Sequence, residues 1–313
     1  MTVNQTEAEE RTYLSTMVSR LYKAIERLEN QISTTRHEVI EAKRYVWDHM
    51  AGLDPAERAA NRVDISLAID HGEKAVDKQR KLRKLVDAPY FGRVDFIPDG
   101  HAKGDAYYIG VHAFNEEDSQ ENLIYDWRSP VASMFYDYNV GRADYSAPAG
   151  VIAGEIGLKR QFKIKGQAME YMIESSMNIN DEVLQKELSQ TSDEKMRNIV
   201  ATIQKEQNVI IRNEHSRELI IQGVAGSGKT SVALHRVAFL LYRFKGTLTS
   251  DNILIISPNK VFSDYISNVL PELGEETILQ KDAGVFRCFS TCIFADSSRR
   301  SEQLRCCKTF ISG

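Results

Sequence analysis

Cysteine is missing from the first 287 residues, and the four present, Cys288, Cys292, Cys306 and Cys307, crowd into the last 26. Neither a disulfide framework nor a thiolate zinc site can therefore organise the body of the chain. No apolar run approaches the roughly 20 residues that a membrane-spanning helix needs. There is no basic excess either. The formal net charge is -4, so contact with a polyanion has to come from a local patch. The opening MTVNQTEAEER is acidic and polar, the opposite of a secretion signal's basic and then apolar start. A cytoplasmic location with no membrane partner is the expectation. The seven histidines are scattered without metal-ligand spacing, and no G-x-S-x-G nucleophile motif occurs. With 42% apolar and 27% charged residues the chain reads as globular, long enough for two domains or for one with an appendage.

Glycine and proline are also absent ahead of Gly52 and Pro55, and residues 6–50 read as one long helix. Leu14, Val18, Leu21, Ile25, Leu28, Ile32, Thr35, Val39, Ala42 and Val46 recur in alternating steps of four and three, the seam of a coiled coil. Asp54-Pro55 marks a turn. A second helix, about 56–86, carries the matching seam Ile65, Ala68, Gly72, Ala75, Gln79, Leu82 and Val86. Two such helices joined by a short turn make an antiparallel hairpin. At about 1.5 Å per residue the first is roughly 65 Å long, too long for a compact core, so the hairpin should protrude.

The period then changes. Tyr90–Phe96, Ala106–Val111, Asn122–Trp127 and Gly154–Ile164 are β-rich runs separated by turn-forming stretches, which suggests a small antiparallel sheet or partial barrel. A helical pattern returns over 181–215. From Glu218 the order is strand (219–222), glycine-rich loop, helix (231–244, with Leu234, Val237, Ala238 and Leu241 on one face), and a second strand (252–257). A further helix is expected over 261–270. The second strand is expected to run parallel to the first. The fold class expected is α/β: an antiparallel coiled-coil hairpin over 1–88, a β-rich segment over 89–180, and the start of a P-loop domain over 181–276. The stretch 277–313 has no clear period. It reads as an aberrant, frameshifted tail in preference to a metal knuckle.

The loop Gly223-Val-Ala-Gly-Ser-Gly-Lys-Thr230 meets every element of the pattern G-x4-G-K-[ST]. Its glycines let backbone N–H groups turn inward around phosphate oxygens, and the next helix points its positive end at them. Lys229 supplies a cation for the β- and γ-phosphates, and Thr230 offers a hydroxyl to Mg2+. Those two are the candidate catalytic residues. Gly223, Val224, Ala225, Gly226, Ser227, Gly228, Lys229, Thr230 and Ser231 form the candidate ATP site. Gln207 is able to read adenine through its amide, or is an exposed helix residue. Ser257-Pro-Asn-Lys260 ends the second strand on the phosphate side and reads equally as a nucleic-acid contact or a helix cap. Asp126-Trp-Arg-Ser-Pro130 reads first as a structural ion pair beside a core aromatic. Lys159, Arg160 and Lys163 fit a phosphate contact or a solvated strand face equally well.

Gly223-Val-Ala-Gly-Ser-Gly-Lys-Thr-Ser231 resembles the first ATPase motif of UvrD/Rep-like superfamily 1 helicases. Ile203-Gln-Lys-Glu-Gln207 resembles their upstream glutamine motif, which implies adenine reading by Gln207. Ile253-Leu-Ile-Ile-Ser-Pro-Asn259 resembles the following motif, which contacts single-stranded DNA there. The hairpin, with Tyr108-Ile-Gly110, Asp126-Trp-Arg-Ser-Pro130 and Gly157-Leu-Lys-Arg-Gln-Phe162, resembles the HelD-type members of that group over about residues 1–276. The resemblance implies a RecA-like ATP- and Mg2+-binding domain. It also implies a hairpin that enters the secondary channel of bacterial RNA polymerase, and ATP turnover that recycles the polymerase, with DNA as a further partner. Asp54 and Glu57 at the tip either approach the polymerase's catalytic Mg2+ or serve ordinary helix-start chemistry. Relatives continue into an Asp-Glu motif and a second RecA-like domain, so an N-terminal fragment with weak or no ATP hydrolysis is expected. The alternatives are a non-enzymatic polymerase-binding module and a piece of a conventional DNA helicase.

Overall fold

The computed structural model describes residues 6–50, 52–116, 121–174, 203–216, 218–224, 226–257, 266, 273, 279–282, 292–295 and 308–311. The chain forms two compact units that do not follow chain order. One holds Met1–Gly92, Tyr108–Tyr125 and Gln161–Ile173; the other holds Arg93–Tyr107, Asp126–Arg160 and Glu174–Gly313.

The arm of the first unit is built from α1 (Glu7–Asp48) and α2 (Pro55–Asp87). Both start on the same device. Thr6 accepts from the Glu9 N–H at 3.3 Å while Glu9 accepts from the Thr6 N–H at 2.9 Å. Asp54 and Glu57 repeat the exchange at 2.8 and 3.1 Å, with Pro55 in the first helical turn. Each box satisfies amide donors that the first turn leaves unpaired. Both tip carboxylates are thus engaged in starting α2. Gly72 beside Thr35, and Glu29 bonded to Gln79 and Arg83, set the helices antiparallel. The expected seam is the observed one. Ile32, Thr35, Val39, Ala42 and Val46 are half-buried among exposed neighbours, facing Ile65, Ala68 and Gly72 in the same state. Two helices bury only the strip between them, so these positions are half covered at most.

Nearer the base the burial deepens to Leu14, Met17, Val18, Leu21, Ile25 and Leu28 on α1 and Ala75, Leu82, Leu85 and Val86 on α2. Each fully buried apolar side chain there contributes about 1.5–3 kcal/mol. Tyr13 stacks on Tyr108 with ring centroids 4.3 Å apart, and Tyr90 meets Tyr108 and Phe162 edge-on at 4.8 and 5.2 Å. Glu10, fully buried, accepts from the Tyr108 hydroxyl at 2.9 Å. Glu10 lies one step before Leu14 on the same seam, so the helical period carries it inward whatever its polarity.

The seven-stranded sheet comprises β1 (Gly92–Pro98), β2 (Asp105–Gly110), β3 (Phe114–Asn115), β4 (Asn122–Asp126), β5 (Gly141–Ala147), β6 (Gly150–Lys165) and β7 (Ala168–Glu174). Its order is β3-β4-β2-β1-β6-β5, with β7 also on β6. The β3/β4 and β5/β6 pairs are antiparallel. Bonds from Phe162 N to Phe91 O and from Asp99 N to Ala153 O set β6 antiparallel to β1 as well. The expected sheet is therefore present, larger than the four runs suggested. A short helix α3 (Ser133–Asp137) follows β4.

The second unit adds α4 (Lys205–Ile211), β8 (Glu218–Ile221), α5 (Lys229–Arg243) and β9 (Ile253–Ser257). The short strands β10 (Leu279–Asp282), β11 (Cys292–Ala295) and β12 (Lys308–Ile311) come from the aperiodic stretch. The five-stranded order is β10-β9-β11-β12-β8. β11 is antiparallel to both β9 and β12, and β12 is parallel to β8. It follows that β8 and β9 point the same way, as expected, with two strands between them. Helix α5 departs from the one-faced reading: ten consecutive residues, Val232–Leu241, are buried. Most of the 181–215 pattern, the 261–270 helix apart from Ile266, Cys288, Cys306 and Cys307 lie outside the described residues.

Candidate functional site

Strand β8 delivers the chain into a loop that ends at the first residue of α5. Gly226 and Gly228 turn it, with φ of 82° and 78°. That left-handed region costs a residue with a Cβ about 1–2 kcal/mol. Gly223 is needed for closeness: a Cβ there would stand 2.7 Å from Ser227 Oγ. Gly228 is the N-cap of α5 and no side chain caps the helix. No acidic residue occupies its first turn. The amides of Lys229, Thr230 and Ser231 precede the first intrahelical bond, from Val232 N–H to Gly228 O. Lys229 Nζ donates to the carbonyls of Gly223 and Val224 at 2.8 and 3.0 Å, so its charge sits at the loop. An uncapped helix N-terminus with an ammonium beside it attracts anions through both the dipole and the free N–H groups. Thr230 and Ser231 are half-buried and Val224 and Ser227 are exposed; Ala225 lies outside the described residues.

Gln207 reaches the same place from α4. Its Nε2 lies 3.7 Å from where a Cβ on Gly228 would be, and its Oε1 accepts from the Gln204 N–H at 3.2 Å. The sequence offered a base reader or a plain helix residue. The fold brings Gln207 to the loop and also makes it part of the start of α4. Ser257 ends β9 on the edge to which β8 also runs; Pro258, Asn259 and Lys260 lie outside the described residues.

Asp126-Trp-Arg-Ser-Pro130 is the clamp that fixes this framework. Arg128 and Asp126 form a two-pronged ion pair at 2.7 and 2.8 Å, both nearly fully buried. The Arg128 guanidinium lies 4.8 Å from the centre of the Tyr242 ring. Arg212, just past α4, donates to the carbonyls of Trp127, Arg128 and Ser129 at 2.6, 3.1 and 3.2 Å. Trp127 is wholly buried, edge-on to His235 at 5.5 Å. The structural reading of this motif holds. The clamp covers α5 at His235, Ala238 and Tyr242, and α4 covers it at Arg236, which donates to the Ile210 carbonyl at 2.9 Å, so its burial is not confined to one face.

His235 went unremarked in the sequence because one histidine on a helix carries no pattern. Its Nδ1 lies 2.6 Å from Ser231 O, which defines the neutral tautomer with Nδ1–H donating. Burial holds its pKa down at about 4, with the Ser231 carbonyl pulling weakly the other way. Lys159, Arg160 and Lys163 fit neither sequence reading, for all three are buried. Lys159 Nζ donates to Tyr138 O at 2.7 Å, and burial lowers its pKa to about 8 against the pull of Asp137. Arg160 pairs with Glu174 at 2.8 Å. Buried, these side chains offer nothing to a phosphate in solution.

A helical arm, an antiparallel sheet and a glycine-rich loop opening a buried helix place the chain in the α/β class. The family of DNA helicase IV HelD N-terminal domains matches residues 7–207. The chain belongs to that family. No curated protein matches the chain. Among the described residues no helix is long and apolar enough to cross a membrane.

Proposed function

We propose that the chain is the N-terminal, ATP-binding portion of a HelD-type superfamily 1 helicase-like translocase, whose arm binds bacterial RNA polymerase. The observation that carries the nucleotide reading is the uncapped, acid-free N-terminus of α5, with Lys229 at the loop and Gln207 beside Gly228. This donor set suits a nucleoside triphosphate. The 223–231 backbone amides and Lys229 would hold the phosphates, Thr230 would ligate Mg2+, and Gln207 would favour adenine over guanine. When bound, Mg2+ neutralises charge on the phosphate oxygens. Membership of a DNA helicase family supports the motor reading. Tyr45, Trp47 and Met50, exposed near the turn of the arm, support a protein partner for it, since aromatic and methionine side chains are enriched where proteins meet.

Titration of the intact chain with a fluorescent ATP analogue and Mg2+ tests the nucleotide reading. Lys229→Ala removes charge-assisted bonds worth about 1.5–3 kcal/mol, so affinity should fall by about 10- to 150-fold. Gln207→Ala should narrow the preference for ATP over GTP. Unaltered affinity in Lys229→Ala refutes it. Capture of purified RNA polymerase by wild type, but not by Trp47→Ala/Met50→Ala, tests the arm.

A further inference from the structure

Helix α4 carries Gln207 but has little apolar surface to hold it in place. Of its seven residues only Asn208 and Ile211 are buried, whereas α5 buries ten in a row. A helix of two turns is not stable by itself, so tertiary contacts must set where it lies. Two arginines supply them. From α5, Arg236 donates to the carbonyls of Ile210 and Ile211 at 2.9 and 3.4 Å, groups that the end of α4 leaves without a helical partner. From just past α4, Arg212 donates its Nε to Asn208 Oδ1 at 3.0 Å and its terminal nitrogens to the carbonyls of Trp127, Arg128 and Ser129. The same guanidinium lies 5.3 Å from the centre of the Phe239 ring on α5. Asn208 Nδ2 in turn donates to Asp137 Oδ1 at 2.8 Å. Successive residues of a helix stand about 100° apart around its axis. Gripping Asn208 at both ends of its amide therefore fixes the direction in which its neighbour, Gln207, leaves the helix.

Given the nucleotide site proposed above, on which this rests, we infer that Arg212 is the positioning residue for base selection: it holds α4 so that Gln207 faces Gly228. Arg212 touches no group that would meet phosphate. The loop that would hold the phosphates is anchored separately, by β8 on one side and by the burial of α5 on the other. Loss of the Arg212 donors should therefore uncouple the two ends of the site, spoiling base choice and sparing the phosphate cradle. Lysine keeps the charge, but one ammonium cannot replace a planar fork that reaches Asn208 and three carbonyls together.

Displacement of a fluorescent ATP analogue from the full chain by ATP, GTP and inorganic tripolyphosphate, each with Mg2+, tests the assignment. The readout is the preference for ATP over GTP, the ratio of their dissociation constants. An unfolded fraction weakens both ligands alike and cancels from that ratio, so a loss of stability does not obscure it. Arg212→Lys should reduce the preference about fivefold, the worth of one neutral hydrogen bond, as Gln207→Ala does. The ratio of GTP to tripolyphosphate affinity should stay at its wild-type value. Asn208→Leu, which removes the grip and keeps the side-chain size, should reproduce the loss. The double variant Arg212→Lys/Gln207→Ala should match Gln207→Ala alone, because the first residue acts through the second. A wild-type preference in Arg212→Lys, or an effect that adds to that of Gln207→Ala, overturns the inference and leaves the base reading standing. Equal preference in wild type and Gln207→Ala overturns the base reading, and this inference with it.

Discussion

The substitution His235→Asn should remove a defined part of the protein's acid sensitivity. In the folded chain burial holds this imidazole at a pKa of about 4, against an ordinary value of 6.5. As pH falls through that window the unfolded chain takes up the proton and the folded one does not, so stability drops with falling pH. The full loss, reached below the folded pKa, is about 3 kcal/mol; at about pH 5 it is already about 2 kcal/mol. The asparagine side chain would keep an N–H to donate to the Ser231 carbonyl but cannot titrate. The substitution should cost some packing near neutrality, where the wild type is the more stable, and that difference should shrink by about 2 kcal/mol between about pH 7 and about pH 5. Asp137, held up by burial, works in the opposite sense, but it is common to both proteins and cancels. Urea unfolding followed by tryptophan fluorescence is the assay. Trp127 is buried against His235 and reports its loss of packing, whereas Trp47 is 77% exposed. Parallel pH profiles for the two proteins would show that His235 is not held neutral by the fold, and the clamp around it would need to be redrawn.

Removing one partner of the buried Asp126–Arg128 pair leaves a charge without its counter-ion, so Asp126→Ala should destabilise the protein by about 3–5 kcal/mol in the same unfolding assay. In the arm-bearing unit, Tyr108→Phe leaves the Glu10 carboxylate without this donor. It should cost about 1–3 kcal/mol, read as a lower midpoint in the thermal melt, with the ring stacking on Tyr13 retained.

The arm was legible down to single residues. The four-three alternation named the seam, and the half-buried positions are those it named, because a two-helix packing is a local, periodic problem. The glycine-rich loop was legible for a similar reason: Gly226 and Gly228 occupy backbone conformations that other residues resist. The β-rich stretch was legible in kind and not in extent. Strands β5 and β7 do alternate, Ala143, Tyr145 and Ala147 against Arg142, Asp144 and Ser146, and Met169, Tyr171 and Ile173 against Glu170 and Glu174, but runs of seven residues carry too little pattern by themselves, and their strand state is settled by pairing with β6.

Sequence alone therefore determined the α/β class, the arm with its seam, and the loop that opens α5. Tertiary structure decided the rest. It buried Lys159, Arg160 and Lys163, which composition would leave in solvent. It also joined Asp126, Arg128, Arg212 and His235 across about a hundred residues of chain. The physical reason is the same in each case. Periodicity and turn chemistry act over a few residues and are written in adjacent letters. Burial depends on which distant segments pack together.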